Sequence, residues 1–276
     1  MEIITKKSFE IKQKGAAVAL CILCALLFTV KSCKNPDSII KDIEQEQLQK
    51  PLTRSGELVW DYPVRPGMEQ WKQFKSVGEM YQACQIPDGI LENLDTESLV
   101  ELCLNFPAPP LFPIFNTPQQ AFMQYYSNFN GIRELFQRKD AGQYLLKKYS
   151  SMSFADFNPS WELYQQGRFV NNIKFIESII SQPQVIASLD ANERKALLKI
   201  TIDKIDEKLS KTDLFGGFSL EINLWAIGRL LYSENPSALE GLNQQNFQAA
   251  MNTGMFVDVD VDMLYRQAKN YASENN

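Results

Sequence analysis

The chain of 276 residues contains no histidine, and this absence removes much of the usual repertoire of enzymes. Histidine is the side chain that most readily exchanges a proton near neutral pH, so neither a Ser-His-Asp triad nor a Cys-His pair can form. Zinc sites that use imidazole ligands are excluded for the same reason. Hydrolysis would have to rest on paired carboxylates, as it does in glycoside hydrolases.

Positive charge is also scarce once the N-terminus is set aside. The net charge of the chain is −5; residues 1–33 hold five basic and two acidic residues, which leaves 23 basic and 31 acidic residues and a net charge of −8. An acidic domain without a basic stripe argues against a nucleic-acid partner. Gly216 and Gly217 lack the lysine of a phosphate-binding loop, so no cofactor is expected either.

The strongest positive signal lies at the N-terminus. Residues 1–14 carry four lysines, and residues 15–30 carry no charge. As a helix the uncharged stretch would span about 24 Å, less than the hydrocarbon core of about 30 Å. A basic flank followed by a short apolar stretch is typical of a signal peptide, and the lysines are expected to stay on the cytoplasmic side.

The residues Val30-Lys31-Ser32-Cys33 resemble the lipobox of bacterial lipoproteins. In that motif a small residue before the cysteine permits cleavage, and the cysteine thiol receives lipid. Lys31 departs from the pattern, because a small residue is more common there. We predict lipidation at Cys33 and a tethered protein of the bacterial cell envelope that faces the periplasm or exterior. An uncleaved membrane anchor and simple cleavage are the alternatives.

Four further cysteines have separate interpretations. Cys21 and Cys24 lie in the apolar stretch and are read as small apolar residues. Cys84 and Cys103 belong to the exported part, where an oxidising compartment permits a disulfide. Such a bond would close a loop of about 20 residues and contribute about 3 kcal/mol in the loop-entropy model. Two separate buried thiols are the equal alternative.

Helical signals dominate the rest of the chain. Thr117 and Pro118 form a start signal, and Asp190 with Glu193 resembles a capping box. The helix after Asp190 carries one apolar seam, Leu198, Ile202, Ile205 and Leu209, and three lysines expected to favour its C-terminal dipole, Lys204, Lys208 and Lys211. Residues 218–233 are apolar nearly all round and predict a central buried helix.

These signals predict an all-α fold, with antiparallel helix pairs packed as an irregular bundle or a short helical solenoid after an N-terminal signal or anchor helix. Pro63 and Pro66 make the start of the domain extended, and a last helix is expected over 261–273. The predicted organisation is a signal peptide or membrane anchor at 1–33, a tether at 34–56 and a helical domain at 57–276.

Acidic residues offer weak candidates for chemistry. Asp258-Val-Asp-Val-Asp262 fails as a calcium loop, because its sixth and twelfth positions are Met263 and Lys269 rather than glycine and glutamate. These acids are expected to cap the last helix, and no metal site is predicted. Glu101 and Glu134 could serve as catalytic acids, but their pattern favours solvated helix-face residues.

Two clusters could form a binding surface. The aromatic set Trp60, Tyr62, Trp71 and Tyr81 would suit a sugar or a peptide, although core packing is the favoured interpretation. The polar set Asn128, Asn130, Arg133 and Arg138-Lys139-Asp140 predicts hydrogen bonding between helices first and a binding edge second.

The block from Trp60 to Tyr149 resembles a family of uncharacterised exported proteins of Bacteroidota, many of them predicted lipoproteins. Its landmarks are Tyr62-Pro-Val-Arg-Pro-Gly67, Trp71, Ala83-Cys-Gln-Ile-Pro87, Leu99-Val-Glu-Leu-Cys103 with Pro107, Phe129-Asn-Gly-Ile-Arg-Glu-Leu135 and Arg138-Lys-Asp-Ala141. The resemblance implies an envelope location in a Gram-negative bacterium and assigns no activity and no functional residue.

The sequence therefore predicts a membrane-tethered envelope protein with a binding or structural role, held to the membrane by its N-terminus and acting on an unidentified protein partner. The alternative is a carboxylate-dependent hydrolase of envelope glycan. That alternative predicts a cleft with two carboxyl groups roughly 5–9.5 Å apart.

Overall fold

A computed structural model of the chain describes residues 60–108, 115–211 and 217–274, with the side chains of residues 217 and 218 left aside. Within these ranges the chain is all-helical, with twelve α-helices and no strand, which confirms the predicted class. The predicted signal or anchor segment, the tether and Cys33 lie outside the described residues.

The twelve α-helices of the described residues are numbered along the chain. In chain order they are α1 (Val77–Ala83), α2 (Asp88–Leu91), α3 (Thr96–Leu104), α4 (Pro118–Asn128), α5 (Asn130–Leu135), α6 (Ala141–Ser151), α7 (Leu163–Ile180), α8 (Pro183–Ser188), α9 (Ala191–Ser210), α10 (Gly217–Glu234), α11 (Gln244–Thr253) and α12 (Val261–Glu274). Three 3-10 helices cover Trp71–Gln73, Phe154–Asp156 and Pro236–Leu239.

The predicted start signals set the helix N-termini. The Thr117 hydroxyl accepts a hydrogen bond from the backbone N–H of Gln120 at 3.1 Å, and Pro118 occupies the first position of α4. Asp190 and Glu193 exchange side-chain to backbone hydrogen bonds of 2.8 Å in both directions, which is the predicted capping box of α9. The local sequence therefore fixes where these two helices begin.

Helix α10 lies at the centre of the C-terminal half, as its apolar sequence predicts. Residues 219–231 are all buried except the half-buried Arg229, and α10 packs against α7, α8, α9, α11 and α12. Arg194 near the start of α9 forms an ion pair with Glu234 at the end of α10, while Lys208 near the end of α9 bonds to Asn223. Helices α9 and α10 therefore run antiparallel.

The N-terminal half is held by an aromatic cluster. The Phe106 ring is surrounded by the rings of Tyr62, Tyr81, Tyr125 and Phe129, at centroid distances of 5.8, 5.0, 5.3 and 4.3 Å. Tilted and edge-on contacts of this kind add to the burial of apolar area. The extended segment at the start of the domain thus contributes to the core through Tyr62.

The acidic stretch before α12 caps that helix, as predicted. The Asp260 carboxylate accepts a hydrogen bond from the backbone N–H of Met263 at 2.8 Å. Val257 and Asp258 form a turn before the helix, with Asp258 in the left-handed region at φ 54°. Of the helices in the described ranges, none combines the length and the apolar character that crossing a membrane requires.

Candidate functional site

Helix α7 is divided into an outer and an inner half. None of the residues 163–172 is buried, whereas Ile173 and residues 175–180 are all buried. The helix begins where the backbone N–H of Glu162 donates to the side chain of Gln165 at 3.2 Å. Of its first ten residues, Leu163, Tyr164 and Gln165 are exposed and the other seven are half-buried, so the first turn is the part of the helix that faces solvent.

The first half of α7 and the turn before it carry an apolar set, which we call the aromatic patch: Phe157, Trp161, Leu163, Tyr164 and Phe169. The three rings of Phe157, Trp161 and Phe169 contact one another at centroid distances of 5.6–6.1 Å. Leu163 is 62% exposed and Tyr164 is 55% exposed. The three rings are half-buried, so Leu163 and Tyr164 are the most exposed apolar side chains of the set. Exposed apolar side chains beside an aromatic cluster make this surface a candidate for binding.

Hydrogen bonds from one side chain to two backbone carbonyls fix the turn that carries the aromatic patch. The Gln166 side-chain amide donates to the carbonyl of Trp161 at 2.7 Å and to that of Pro159 at 3.1 Å. Below the turn, Phe169 packs against a small cluster built on Phe154 and Ile173. The patch is therefore a positioned surface with its own support.

The aromatic patch lies at the end of the domain where the chain arrives from the N-terminus. The Tyr62 hydroxyl donates to the carbonyl of Leu102 at 2.7 Å, and the Arg168 guanidinium donates to the Asn105 side chain at 3.0 Å. Leu102 and Asn105 belong to the last turn and the C-cap of α3. The first described segment and the outer half of α7 are thus held by the same turn.

A second polar feature lies inside the core. Lys208 Nζ lies 2.5 Å from Glu177 Oε2 and 2.6 Å from Asn223 Oδ1, and Asn223 donates to Glu177 Oε1 at 2.9 Å. The Tyr149 hydroxyl donates to the same Glu177 oxygen at 3.0 Å. We call Tyr149, Glu177, Lys208 and Asn223 the buried network; it joins α6, α7, α9 and α10.

Burial dominates the electrostatics of the buried network. It lowers the pKa of Lys208, and the carboxylate of Glu177 opposes that shift. Burial raises the pKa of Tyr149, and the negative charge of Glu177 raises it further. Because the side chains of Lys208 and Glu177 are 0% and 1% exposed, the network serves to align helices.

Lysines of α9 connect the buried core with the turn below the aromatic patch. Lys204 Nζ donates to the carbonyl of Met152 and lies 5.2 Å from the Phe154 ring centre, and Lys211 Nζ donates to the carbonyl of Phe154 at 3.0 Å. Nearby, burial and then the charge of Lys208 lower the pKa of Lys174 to about 8. The sequence predicts that these lysines stabilise the C-terminal end of the helix dipole. In the structure Lys204 and Lys208 are buried and make direct contacts with other parts of the domain.

The aromatic set predicted from sequence forms core, as its favoured interpretation has it. Trp60, Tyr62, Trp71 and Tyr81 are all buried, so they offer no sugar- or peptide-binding surface. The exposed aromatic surface consists instead of residues that the sequence patterns did not single out. The sequence feature that could have indicated this surface is a group of four large apolar residues between positions 157 and 164, interrupted by Pro159.

The polar set near Asn130 connects helices, as predicted. The Asn130 side chain accepts from the backbone N–H of Ile86 at 3.0 Å and donates to the carbonyl of Ile86 at 2.6 Å. The Arg138 guanidinium donates to the carbonyls of Leu94 and Leu91 at 2.6 and 3.3 Å. These bonds join two parts of the N-terminal half that lie more than 40 residues apart in sequence.

The two carboxylates weighed as catalytic acids are engaged in ion pairs. Glu101 lies 2.5 Å from Lys148 Nζ, and Glu134 lies 3.0 Å from the Arg138 guanidinium. Both carboxylates are partly exposed on helix faces. Their contacts are those of ordinary surface salt bridges.

Cys84 and Cys103 are both buried free thiols in the structure. Burial raises the pKa of Cys84 to about 12, and it raises the pKa of Cys103 as well. Of the two alternatives left by the sequence, the structure presents separate thiols. A disulfide between them stays a prediction for which a direct test follows in the Discussion.

Ligand sites of the usual kinds are weakly represented in the described part of the chain. Across those ranges, no three His, Cys, Asp or Glu side chains are grouped to hold a metal ion. A shallow, mainly polar pocket of about 200 Å³ lies beside the Pro236–Leu239 turn and is lined by Gln267, Asn270 and Tyr271 of α12. Pockets for small ligands measure about 300–1,000 Å³, so this one is small for the purpose.

Comparisons with known proteins leave the function to be argued from these surfaces. No family model, no curated protein and no solved structure matches the chain. The resemblance of Trp60–Tyr149 to exported proteins of Bacteroidota therefore stays a prediction.

Proposed function

We propose that this chain is a bacterial cell-envelope protein, tethered to a membrane through its N-terminus, whose helical domain acts by binding and performs no chemistry of its own. The order of charge and apolar residues over 1–30, followed by Cys33, supports the tether. The aromatic patch supports the binding role. The sequence predicts a protein partner for the domain without assigning that partner to the patch.

The observation that carries the proposal is the exposure of Leu163 and Tyr164 at the start of a helix whose end is core. A large apolar side chain that stays in water contributes no hydrophobic free energy to folding. Burial of each such side chain contributes about 1.5–3 kcal/mol. Contiguous exposed sets therefore mark surfaces that become covered in use. The buried network offers no comparable site, because solvent does not reach Lys208 or Glu177.

The alternative, a glycan hydrolase, receives less support. Retaining and inverting enzymes need one carboxyl group held protonated in a recess and a second carboxylate facing it. Glu101, Glu134 and the buried Glu177 each lie within 3.0 Å of a cationic partner, so none of them is a carboxyl group held in a recess away from cations. We therefore prefer the binding role.

We also infer that the helices form an irregular bundle rather than a solenoid. In a solenoid each repeat contacts only its neighbours. Helix α10 packs against α7, α8, α9, α11 and α12, and α11 also packs against α4 of the N-terminal half. Contacts between elements so far apart in sequence favour a bundle.

Cell fractionation tests the tether. The full chain, tagged at its C-terminus and expressed in a Gram-negative host, should remain with the membranes after washing at high pH. Cys33→Ser should abolish lipid attachment at that residue, as read by mass spectrometry, while Cys84→Ser serves as a matched control. Recovery of the full-length chain in the cytoplasm with its first 33 residues intact would contradict the proposal.

Site-specific crosslinking tests the binding role. A photoreactive residue at position 164 should give crosslinked products in intact cells, and one at Tyr232, which is equally exposed at 56%, should give far fewer. Mass spectrometry of both products shows whether the attached mass is lipid or protein. Equal yields at the two positions would mean that the aromatic patch binds nothing in the envelope.

A further inference from the structure

We infer that the aromatic patch seats on the lipid bilayer to which the N-terminus is tethered, with Trp161 and Tyr164 at the boundary between headgroups and acyl chains. This inference rests on the proposed function, because it takes the tether as given. It assigns the patch to one occupant, a lipid surface.

The chemistry of the aromatic patch suits that boundary. Trp and Tyr combine an apolar ring with one polar group, and they are enriched where one end is apolar and the other is hydrated. Trp161 is half-buried, whereas Trp60, Trp71 and Trp225 belong to the core. Leu163, which is 62% exposed, supplies purely apolar surface beside Tyr164.

The point where the N-terminal segment joins the domain lies at the same end of the domain as the aromatic patch. Trp60 is the first described residue, and its ring lies 4.8 Å from that of Tyr62, which is bonded to the last turn of α3. Arg168 binds the C-cap of the same helix, next to Phe169 of the aromatic patch. The patch therefore lies at the same end of the domain as Trp60, where a bilayer reached through the residues that precede Trp60 can meet it.

The length of chain outside the domain makes this contact frequent. The 26 residues from 34 to 59 can separate Cys33 from Trp60 by at most about 90 Å. Within that radius the effective concentration of the lipid surface is on the order of millimolar or higher. A weak apolar contact is then enough to keep the aromatic patch seated.

The charges show which force would drive the contact. The part of the chain after residue 33 has a net charge of −8, and Asp156 and Glu162 beside the patch are exposed. Attraction to anionic lipid is therefore not the driving force, and insertion of apolar side chains is. We expect salt not to weaken the seated state, because it screens only repulsion between these acidic residues and anionic lipid, unlike a contact that depends on basic residues.

The experiment measures how deeply Trp161 lies in lipid. The full chain is reconstituted into vesicles of phosphatidylethanolamine and phosphatidylglycerol, with and without bromine on the acyl chains. The fluorescence of Trp161 is isolated by subtraction of the Trp161→Phe variant. Brominated lipid should quench it by about twofold or more, and 1 M salt should not reduce the quenching.

Substitutions on the exposed surface provide the matched comparison. Leu163→Ser with Tyr164→Ser should lower the quenching of Trp161 by at least about half, because it removes the most exposed apolar groups of the patch. Tyr232→Ser, an equally exposed change on α10, should have no effect. Circular dichroism melting curves establish that both variants fold like the parent.

Flotation of the vesicles separates failure of the tether from failure of this inference. If the full chain does not float with lipid, the proposed function itself is wrong. If it floats and Trp161 is not quenched, the tether stands and the lipid contact is wrong. If Trp161 is shielded from acrylamide only in native envelope vesicles and not in pure lipid, the occupant is a protein, and the inference is overturned. Quenching that 1 M salt abolishes would likewise overturn it.

Discussion

Lys208 Nζ lies 2.5 Å from Glu177 Oε2, and neither side chain is more than 1% exposed. Removal of two charges from water is costly, and only close pairing with further hydrogen bonds offsets that cost. Asn223 supplies those bonds, because its amide accepts from Lys208 and donates to Glu177. The ion pair thus depends on three helices being in the correct register.

Lys208→Met should lower the free energy of unfolding by about 3–5 kcal/mol, because it leaves the Glu177 carboxylate charged and buried without a cation. Urea unfolding of the full chain in mild detergent, followed by far-UV circular dichroism, measures the change. Lys208→Met combined with Glu177→Gln should recover at least about half of the loss, since the amide keeps its hydrogen bonds without a charge. As a control, Glu97→Gln removes an exposed ion pair with Lys147 and should leave the midpoint unchanged. A double variant as unstable as Lys208→Met alone would contradict this account.

The burial of Lys208 could not be predicted from the pattern of α9. The sequence predicts one apolar seam, and three of its members, Leu198, Ile202 and Ile205, are indeed buried. A second buried stripe on the same helix includes Thr201, Lys204 and Lys208. From sequence alone a lysine at such a position is expected to face solvent. Lys208 is buried because Glu177, from another helix 31 residues earlier in the chain, pairs with it, and the pattern of α9 does not show that partner.

Alkylation should find Cys84 and Cys103 unreactive in the folded protein and reactive after unfolding without any reductant. Both thiols are buried, and burial raises their pKa, so little thiolate is present at neutral pH. Peptide mapping by mass spectrometry after iodoacetamide treatment, with and without urea, locates each label. If urea alone leaves both residues unlabelled and a reductant is needed as well, the two cysteines form the disulfide that the sequence allows.

The thiols also predict how stability depends on pH. In the unfolded chain a thiol ionises near pH 9, whereas in the folded chain the pKa of Cys84 is about 12. Between these values the folded state binds more protons, so stability is full below pH 9 and falls as pH rises, by up to about 1.4 kcal/mol per pH unit for each thiol. Cys84→Ala with Cys103→Ala should therefore show a shallower decline between pH 9 and 10.5 in urea unfolding. The slope is the measure, because the cavities left by alanine lower the whole curve. Parallel curves for parent and variant would mean that each thiol ionises equally in the folded and unfolded chains, or that the two are joined in a disulfide.

The aromatic patch shows a different limit of sequence reasoning. Core packing is the interpretation that the sequence favours for Trp60 and Tyr62, and both are buried; the Tyr62 ring contacts those of Phe106 and Phe129 from elsewhere in the chain. Trp161, in the turn before α7, is half-buried, and Tyr164, in the first turn of α7, is exposed. Exposure depends on how far a helix extends beyond its partners, and local patterns do not contain that information. Helix starts such as Thr117 were predictable, because a cap is formed by residues next to each other in sequence.

Gly254→Ala should destabilise the protein, and Gly89→Ala should not. Gly254 ends α11 with φ at +78°, and an added Cβ would lie 2.9 Å from Cβ and Cγ of Pro118 at the start of α4. Backbone strain and this close contact together should lower the free energy of unfolding by about 1–3 kcal/mol. Gly89 lies in α2 with open space around it, so alanine there should raise stability by about 0.5 kcal/mol through its helix propensity. Urea unfolding of both variants checks the opposite signs.

Pro118→Ala in the Gly254→Ala background separates the two causes of that loss. Because alanine keeps Cβ and removes the ring, the double variant should recover the part of the loss due to the contact with Cγ, while the strain of the positive φ remains. Full recovery of the free energy of unfolding would mean that the positive φ at position 254 adds no strain. No recovery would mean that the Pro118 ring shifts readily and that its contact adds nothing to the loss. The contact tested joins α4 of the N-terminal half to α11 of the C-terminal half. Partial recovery would therefore indicate that the two halves are packed too closely here for a methyl group to enter.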